Sequence, residues 1–439
     1  MSAETKPALT DEEKRARVKA LLQSRRRPDA PKSPAPAQPT GTGLHDLPGV
    51  QELAARKAAL AARRLPNPYF QPHDGVAGAH SVIAGRELIN FASYNYLGWC
   101  GDDRVSAAAR AAIDRHGTSA SASRIASGER PLHRELEQAL AAHYGTEDCV
   151  VFVSGHATNV TVIGHLLEPG DLILHDALIH NSALLGAQLS GARRLPFPHN
   201  DWAELDRLLT AHRAAHHRVL IIIEGVYSMD GDVPDLSQFI ALKKKHDALL
   251  MVDEAHSLGV LGAHGGGIGE HCAVQPTDVD LWMGTLSKTL ASCGGYICAS
   301  HDVVEYLKYT APGFLYSVGL APPLAAAALC ALQLTHENPD RVQALRERAG
   351  SLRTQFRAAG WKVGPGEHSA VVPLILGDPD RALHLAHALF TAGINVQPIL
   401  PPAVEPNQAR LRFFLSALHT PADISLTVRA VGAQLEQSH

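Results

Sequence analysis

Lysine is scarce in this chain, and one lysine is oddly placed. Eleven occur in 439 residues, with none between Lys57 and Lys243. Lys243, Lys244 and Lys245 form a charged run that a solvated helix face explains. Lys288 sits instead in TLSKTLASCGG, among small and apolar neighbours. An amine held there loses hydration, which lowers its pKa and suits it to forming a Schiff base. A lysine snorkelling from a helix start would give the same local pattern. Asp253 closes the apolar run ALLMV, so its carboxylate should be partly buried and needs a cationic partner. A protonated pyridine nitrogen is one such partner, and an adjacent acid keeps that ring an electron sink. His256, three residues on, could hydrogen-bond a cofactor's phenolic oxygen. The tetrapeptide DEAH also occurs in helicases, but no G-x-x-x-x-G-K-[ST] loop exists in the chain, which removes a nucleotide reading.

Gly155-His156 lies between CVVFV and a helical stretch, ATNVTVIGHLL. Backbone N–H groups at such a helix start bind anions, here a phosphate. Thr285 and Ser287 could add hydroxyl donors. His180 suits an aromatic plate stacked on a cofactor ring, although a structural histidine is the simpler alternative. The 25 histidines invite a metal hypothesis. His175 and His180 are five apart, and no H-x-x-x-H pair falls in a plausible site, so the expectation is no metal.

These residues share a position. Short apolar runs at Cys149–Val153, Leu172–His175, Val219–Ile223, Leu249–Val252 and Leu281–Gly284 alternate with helical segments such as Val105–His116 and Leu132–Tyr144. Runs without polar alternation, separated by helices, indicate an α/β fold with a large parallel or mixed sheet covered on both faces. Ligands collect at the carboxyl ends of such strands. Each run ends there in ionisable or polar groups: Ser154-Gly155-His156, His175-Asp176, Glu224 with Tyr227, Ser228 and Asp230, Asp253-Glu254 with His256, and Thr285 with Ser287 and Lys288.

The chain divides by composition. Residues 1–40 hold nine Lys/Arg against five Asp/Glu and six of the 28 prolines. A short helix over Asp11–Gln23 and a Pro/Ala linker are expected there, making 1–45 an N-terminal extension. An arm and hairpin follow over 46–104, with a helix at Gly49–Arg64 and a turn at Ala84-Gly85. A large domain is expected over 105–312 and a smaller α+β domain over 313–439, its last hundred residues reading helix–strand–helix–strand–helix. The net charge of −4 argues against a nucleic-acid binder, and no apolar run reaches 18 residues, so no membrane span is expected. Six cysteines far apart in sequence, with no C-x-x-C pair, read as reduced thiols in a cytoplasmic protein.

From about Pro66 to Glu436 the chain resembles the α-oxoamine synthases, which are fold-type I pyridoxal-phosphate enzymes. This group includes aminooxononanoate synthase, aminoketobutyrate ligase, aminolevulinate synthase and serine palmitoyltransferase. The matching motifs are SYNYLG (93–98), SRIASGERPLH (123–133), SGHATN (154–159), HDALIHNS (175–182), EGVYSMDGDVPDL (224–236), VDEAHSLGVLG (252–262), GTLSKTLASCGGY (284–296), FLYSVGLAPP (314–323) and LRFFLSALHT (411–420). The resemblance implies pyridoxal 5'-phosphate held by Lys288, which also serves as the base at Cα. Asp253 would pair with the pyridine nitrogen, Ser228 and His256 would contact the phenolic oxygen, and His180 would stack on the ring. The Gly155-His156 backbone, Thr285 and Ser287 would bind phosphate, with Ser317 reaching it from the neighbouring subunit of a homodimer. Arg412 would hold the amino-acid carboxylate.

The implied reaction is a decarboxylative Claisen condensation of a small amino acid with an acyl thioester, on CoA or a carrier protein, giving an α-aminoketone. Three positions depart from the usual pattern. Tyr94 stands where glycine-specific members carry Asn, and Asn95 follows as a candidate substrate contact. His156 replaces an aromatic residue. Ala403, in PPAVEP, replaces a substrate-binding Thr. SYNYLG and the lysine motif resemble serine palmitoyltransferases and synthases attached to polyketide-type assembly lines. Glycine, alanine and serine therefore all stay open, and the N-terminal extension could recruit a carrier protein. Rival readings are an aminotransferase or aldolase of the same fold, or a non-catalytic partner subunit.

Overall fold

The computed structural model describes residues 43–436. The leader helix expected at Asp11–Gln23 lies outside the described residues, as does the linker up to residue 42. The chain forms two compact units, Met1–Asn67 and Pro68–His439. In the first, the described part is a 3-10 turn at Leu44–Asp46 and a helix at Pro48–Ala62, started by a proline whose fixed φ fits the first helical position.

The second unit opens with a hairpin sheet. Strands β1 (His73–Asp74), β2 (His80–Ile83) and β3 (Arg86–Asn90) are antiparallel neighbours. The expected turn is present: Ala84 and Gly85 both have positive φ, at 51° and 73°, which matches the twist that a two-residue hairpin needs.

The main sheet follows, built from β4 (Asp148–Phe152), β5 (Leu172–Asp176), β6 (Arg193–Phe197), β7 (Val219–Glu224), β8 (Leu249–Asp253), β9 (Leu281–Thr285) and β10 (Gly295–Ala299). Their order is β4-β10-β9-β8-β7-β5-β6, and only β10 runs against the others. Alternate residues feed two cores. Val219, Ile221 and Ile223 face one, while Leu220 and Ile222 face the other. Burial on both faces is why these strands show no polar alternation.

The sequence reading did not anticipate two strands. β6, with two arginines and Pro196, is an edge strand, where a missing N–H is tolerated. β10 begins at the last glycine of the SCGG loop, with only a tight turn between it and the lysine segment. It also brings Cys298 opposite Cys149 on β4, so two cysteines far apart in sequence are cross-strand neighbours; all six thiols are free.

The last third contributes β11 (Val371–Gly377), β12 (Ile394–Asn395), β13 (Gln397–Ile399) and β14 (Ala409–Phe414). β12 extends the hairpin sheet in parallel with β3, and the other three form an antiparallel sheet in the order β11-β14-β13. Helices Pro339–Ala358, Pro379–Thr391 and Pro421–Glu436 separate these strands, with β11 between the first two as expected but three strands, not one, between the last two. Arg410 and Arg412, on one face of β14, reach the loop after β7, where they bond Met229, Asp230 and Ser228. Among the described residues, no helix is long and apolar enough to cross a membrane.

Candidate active site

The carboxyl ends of β5, β7, β8 and β9 open into a cavity of about 370 Å3. Its walls include Tyr94, Lys288, Asp253, His256, His180, Ser228, Thr285, Ser287, Gly155, His156 and Arg412, so residues up to 318 positions apart in the chain meet in one place (94 to 412). β4 and the helix Gly155–Leu166 supply the anion end. Ser154 caps that helix: its Oγ accepts from Ala157 N–H at 3.4 Å, and its carbonyl from Thr158 N–H at 2.9 Å. First-turn N–H groups have no partner within a helix, so those of Gly155 and His156 are left for a ligand.

Close packing aims this helix start. A Cβ on Gly155 would lie 2.7 Å from Thr285 Oγ1, and one on Gly295 would lie 2.6 Å from Gly155 Cα. Glycine at both positions lets the helix start sit directly against β9 and β10. Thr285 donates to Gly294 O at 3.0 Å and lies 2.8 Å from Ser287 Oγ. Two free amides and two hydroxyl oxygens thus line this end of the cavity.

At the opposite end, Asp253 accepts from Ala255 N–H at 2.9 Å and from Asn159 Nδ2 at 2.8 Å. Its neighbour across the strands is Glu224 on β7. Burial, reinforced by the Asp253 charge, raises the Glu224 pKa well above the carboxylate range, and Glu224 accepts from His180 N–H at 2.6 Å. Burial thus favours the protonated form of Glu224, which fixes the His180 backbone, while Asp253 lines the cavity where a cationic ring nitrogen could meet it.

Burial also brings Lys288 down to about 8, with Arg412 adding to the effect while Asp253 and Glu224 oppose it. The amine lies 5.6 Å from the centre of the Tyr94 ring. Its lowered pKa leaves a substantial neutral fraction near pH 8, which is the nucleophilic form. His256 is buried, and burial together with the Lys288 and Arg412 charges pushes its pKa well below the ordinary histidine value. Tyr96 Oη sits 2.7 Å from its Nδ1, so Nε2 is the ring nitrogen left for a ligand. The His180 pKa is also lowered by desolvation, which favours a neutral ring.

Arg412 is buried yet bonds no carboxylate: Nη1 donates to Ser228 O at 3.0 Å, and Nε has no partner among the described residues. An unsatisfied buried guanidinium is costly unless it meets an anion.

Two sequence expectations, Asn95 and Ala403 as substrate contacts, need correction. Asn95 does not face the cavity: its carboxamide donates to Cys100 O and accepts from Cys100 N–H, both at 3.1 Å, closing the SYNYLG turn. Tyr94, beside it, lines the wall instead. Ala403 lies on an exposed turn outside the cavity lining, and its methyl group offers no hydrogen bond. Ser317 lies outside the cavity of its own chain, in the loop after the short helix Pro312–Leu315, with its Oγ 3.3 Å from Val318 O. Of the other strand-end residues, Glu254 turns away to bond Ser257 Oγ and Ile268 N–H, and Asp176 pairs with His199.

The motif reading quoted Asn159, Ser182 and Tyr96 but gave them no role. The available signal was polarity out of place. Asn159 is 1% exposed on a helix whose other inward residues include Val162 and Ile163.

The profile of the aminotransferase class I and II family matches residues 86–431. An 8-amino-7-oxononanoate synthase of Methylobacterium sp. is 41% identical over 381 residues, covering 87% of this chain and 94% of that protein. One from Geobacter sulfurreducens is 42% identical, covering 81% and 91% respectively. Among solved structures, the serine palmitoyltransferase of Sphingomonas wittichii superposes with a TM-score of 0.86 at 32% identity, covering 90% of this chain and 99% of that one. Fold and cavity define a fold-type I pyridoxal-phosphate enzyme. The chain belongs to the α-oxoamine synthase family, whose reaction is a Claisen-type condensation dependent on that cofactor.

Proposed function

We propose that the protein condenses glycine, alanine or serine with an acyl thioester, on CoA or a carrier protein, to give an α-aminoketone, CO2 and free thiol. The observation that carries this reading is Arg412, a buried guanidinium without a carboxylate partner in the cavity that holds Lys288. It supports a substrate that brings its own carboxylate.

Pyridoxal phosphate, when bound, supplies an electron sink conjugated to the amino group, which stabilises negative charge at Cα. The chain's own residues do the rest. Gly155 and His156 N–H, Thr285 and Ser287 would hold the phosphate, and Asp253 would meet the ring nitrogen. His180 presents a ring face for stacking, and His256 offers Nε2 to the phenolic oxygen, with Ser228 beside it. Lys288 would anchor the cofactor, take the Cα proton at Nζ, and return a proton to Cα after CO2 leaves. Arg412 would hold the carboxylate and so orient the substrate's Cα for cleavage of one bond at a time. In balance, the Cα–H and the thioester C–S bonds break and a C–C bond forms. The carboxylate then leaves as CO2, and the thiol carries away the remaining proton.

Tyr94 narrows the wall beside Lys288, packing at 4.8 Å on Phe414, and is the side chain best placed to select the amino-acid side group. A homodimer in which Ser317 completes the partner's phosphate site fits the loop position of Ser317 outside its own cavity.

The test combines each amino acid with an acyl-CoA and with an acyl-carrier protein, measuring CO2 and thiol together. Equimolar release with at least one pairing supports the reading. Release of a 2-oxo acid without CO2 would move the protein to the aminotransferases. Removing residues 1–45 and repeating both donors tests whether that extension recruits a carrier protein. Unchanged rates with both donors would end that idea.

A further inference from the structure

Four polar groups behind the cofactor site form a directed chain whose polarity can be read from the donors. Asn159 Nδ2 lies 2.8 Å from Asp253 Oδ2 and 2.9 Å from Ser182 Oγ. Ser182 Oγ lies 2.7 Å from His180 Nδ1, and Ser182 N–H donates to the same Nδ1 at 3.3 Å. A backbone N–H can only donate, so His180 Nδ1 is unprotonated and the ring carries its proton on Nε2. Ser182 Oγ–H therefore donates to Nδ1, and its oxygen accepts from Asn159. The amide has two N–H bonds, one for Ser182 and one for Asp253, and neither partner suits the amide oxygen. This fixes which way the amide faces. Asn159 and Ser182 are each 1% exposed, so both bonds lie out of water. Asn159 Oδ1 is buried with no partner among the described residues, an unsatisfied acceptor tolerated while both donors are engaged.

We propose that Asn159 is a positioning residue that couples Asp253, the partner of the cofactor's ring nitrogen, to His180, the plate on the ring face, through Ser182. One amide thereby sets the in-plane contact and the stacking contact of the same ring. Neither Asp253 nor His180 can tilt without straining the other. The inference rests on the cofactor assignment and is independent of which amino acid or acyl donor is used. Glu224, Lys288, His256, His156, Arg412, Tyr94 and Cys293 are the other ionisable groups around this cavity and are unchanged in every variant below.

The test titrates pyridoxal phosphate into the full-length cofactor-free protein, following its visible absorbance from pH 5.5 to 8.5, for wild type, Asn159→Ala, Asn159→Asp and Ser182→Ala. Circular dichroism and melting temperature report folding. Asn159→Ala loses a hydrogen bond to a charged group, so its dissociation constant should rise about ten- to a hundredfold. Ser182→Ala keeps the Asp253 contact and should lose roughly tenfold or less. Asn159→Asp is the discriminating variant, because its carboxylate cannot donate to Asp253 until it is protonated. It should bind worse than Asn159→Ala at pH 8.5 and recover towards pH 5.5, a pH dependence that cavity formation alone would not produce. Folded Asn159→Ala with wild-type affinity and spectrum would overturn the proposal. So would Asn159→Asp and Asn159→Ala changing in parallel across the pH range. If Asn159→Ala does not fold, the pH dependence of Asn159→Asp together with the Ser182→Ala loss decides the matter. A wild-type chain that binds no pyridoxal phosphate would overturn the cofactor reading itself, an outcome distinct from both.

Discussion

Two regions of the main sheet bury cations, and they treat them differently. Near β4, Glu137 accepts from Arg124 at 2.5 Å, Lys308 at 2.8 Å and Val151 N–H at 3.0 Å, while Arg124 also grips Glu129 at 2.7 Å. At the carboxyl ends of β8 and β9, Lys288 forms no ion pair among the described residues. β14 repeats the contrast within three residues: Arg410 holds Asp230 at 2.5 Å, whereas Arg412 meets the Ser228 carbonyl, the Met229 sulfur, Tyr94 and the Phe414 ring but no carboxylate among the described residues. A paired cation closes its surroundings. An unpaired one, sheltered from water, is poised for an anion or a reaction that arrives later. The difference separates residues that hold the fold from residues that meet the substrate.

The strongest way to break this contrast is to remove the poised amine. Lys288→Ala should lower CO2 release by roughly a thousandfold or more while the melting temperature stays near that of wild type. Activity within tenfold of wild type would sink the assignment. The two arginines come next. Arg410→Ala strands a mostly buried Asp230 and should cost about 3 kcal/mol of stability, with activity per folded molecule largely kept. Arg412→Ala should do the reverse, raising KM for the amino acid about ten- to a hundredfold with little change in melting. If both variants lose stability alike, the distinction on β14 is wrong.

The pH dependence sharpens the same point. Lys288 in the cofactor-free protein has a pKa of about 8, below the ordinary 10.5, so its capture of pyridoxal phosphate should accelerate as pH rises through 8. Because the folded chain releases this proton before the unfolded chain does, stability should also rise with pH between about 8 and 10.5. A Lys288→Met variant should lack that rise.

The smallest effect is expected at His199, clamped between Asp176 at 2.9 Å and Asp232 at 2.8 Å, its pKa raised to about 10 against burial. A raised histidine pKa stabilises fully below the ordinary value of 6.5, and the gain is lost as pH climbs through 10. His199→Gln should therefore melt roughly 2–4 °C below wild type near pH 6.5, the gap closing at high pH. A constant gap would mean the charge contributes nothing.

The main sheet was legible because both its faces are buried, which turned β5, β7, β8 and β9 into apolar runs ending in chemistry. β6 was not, since an edge strand can begin with Arg193-Arg194 and carry Pro196. Lys288, Asp253, His256 and His180 were legible because each lies at the end of an apolar strand or within four residues of it, where a sheet of this kind gathers its ligands. Asn95 misled because adjacent residues in a turn point different ways, and only coordinates show that Tyr94 took the cavity. The Asn159 contacts depend on the crossing of a helix and a strand, a geometry with no one-dimensional signature.

The approach of Gly155 to Gly295 and Thr285 has a consequence for how such an enzyme can change. A single methyl group at either glycine would push the helix start off the sheet, so the anion end of the cavity is effectively frozen. Tyr94 and the turn around Ala403 carry no such constraint; both are partly open to solvent. Diversification of substrate, by evolution or by design, would therefore proceed at Tyr94, which lines the cavity, around a cofactor seat that hardly drifts.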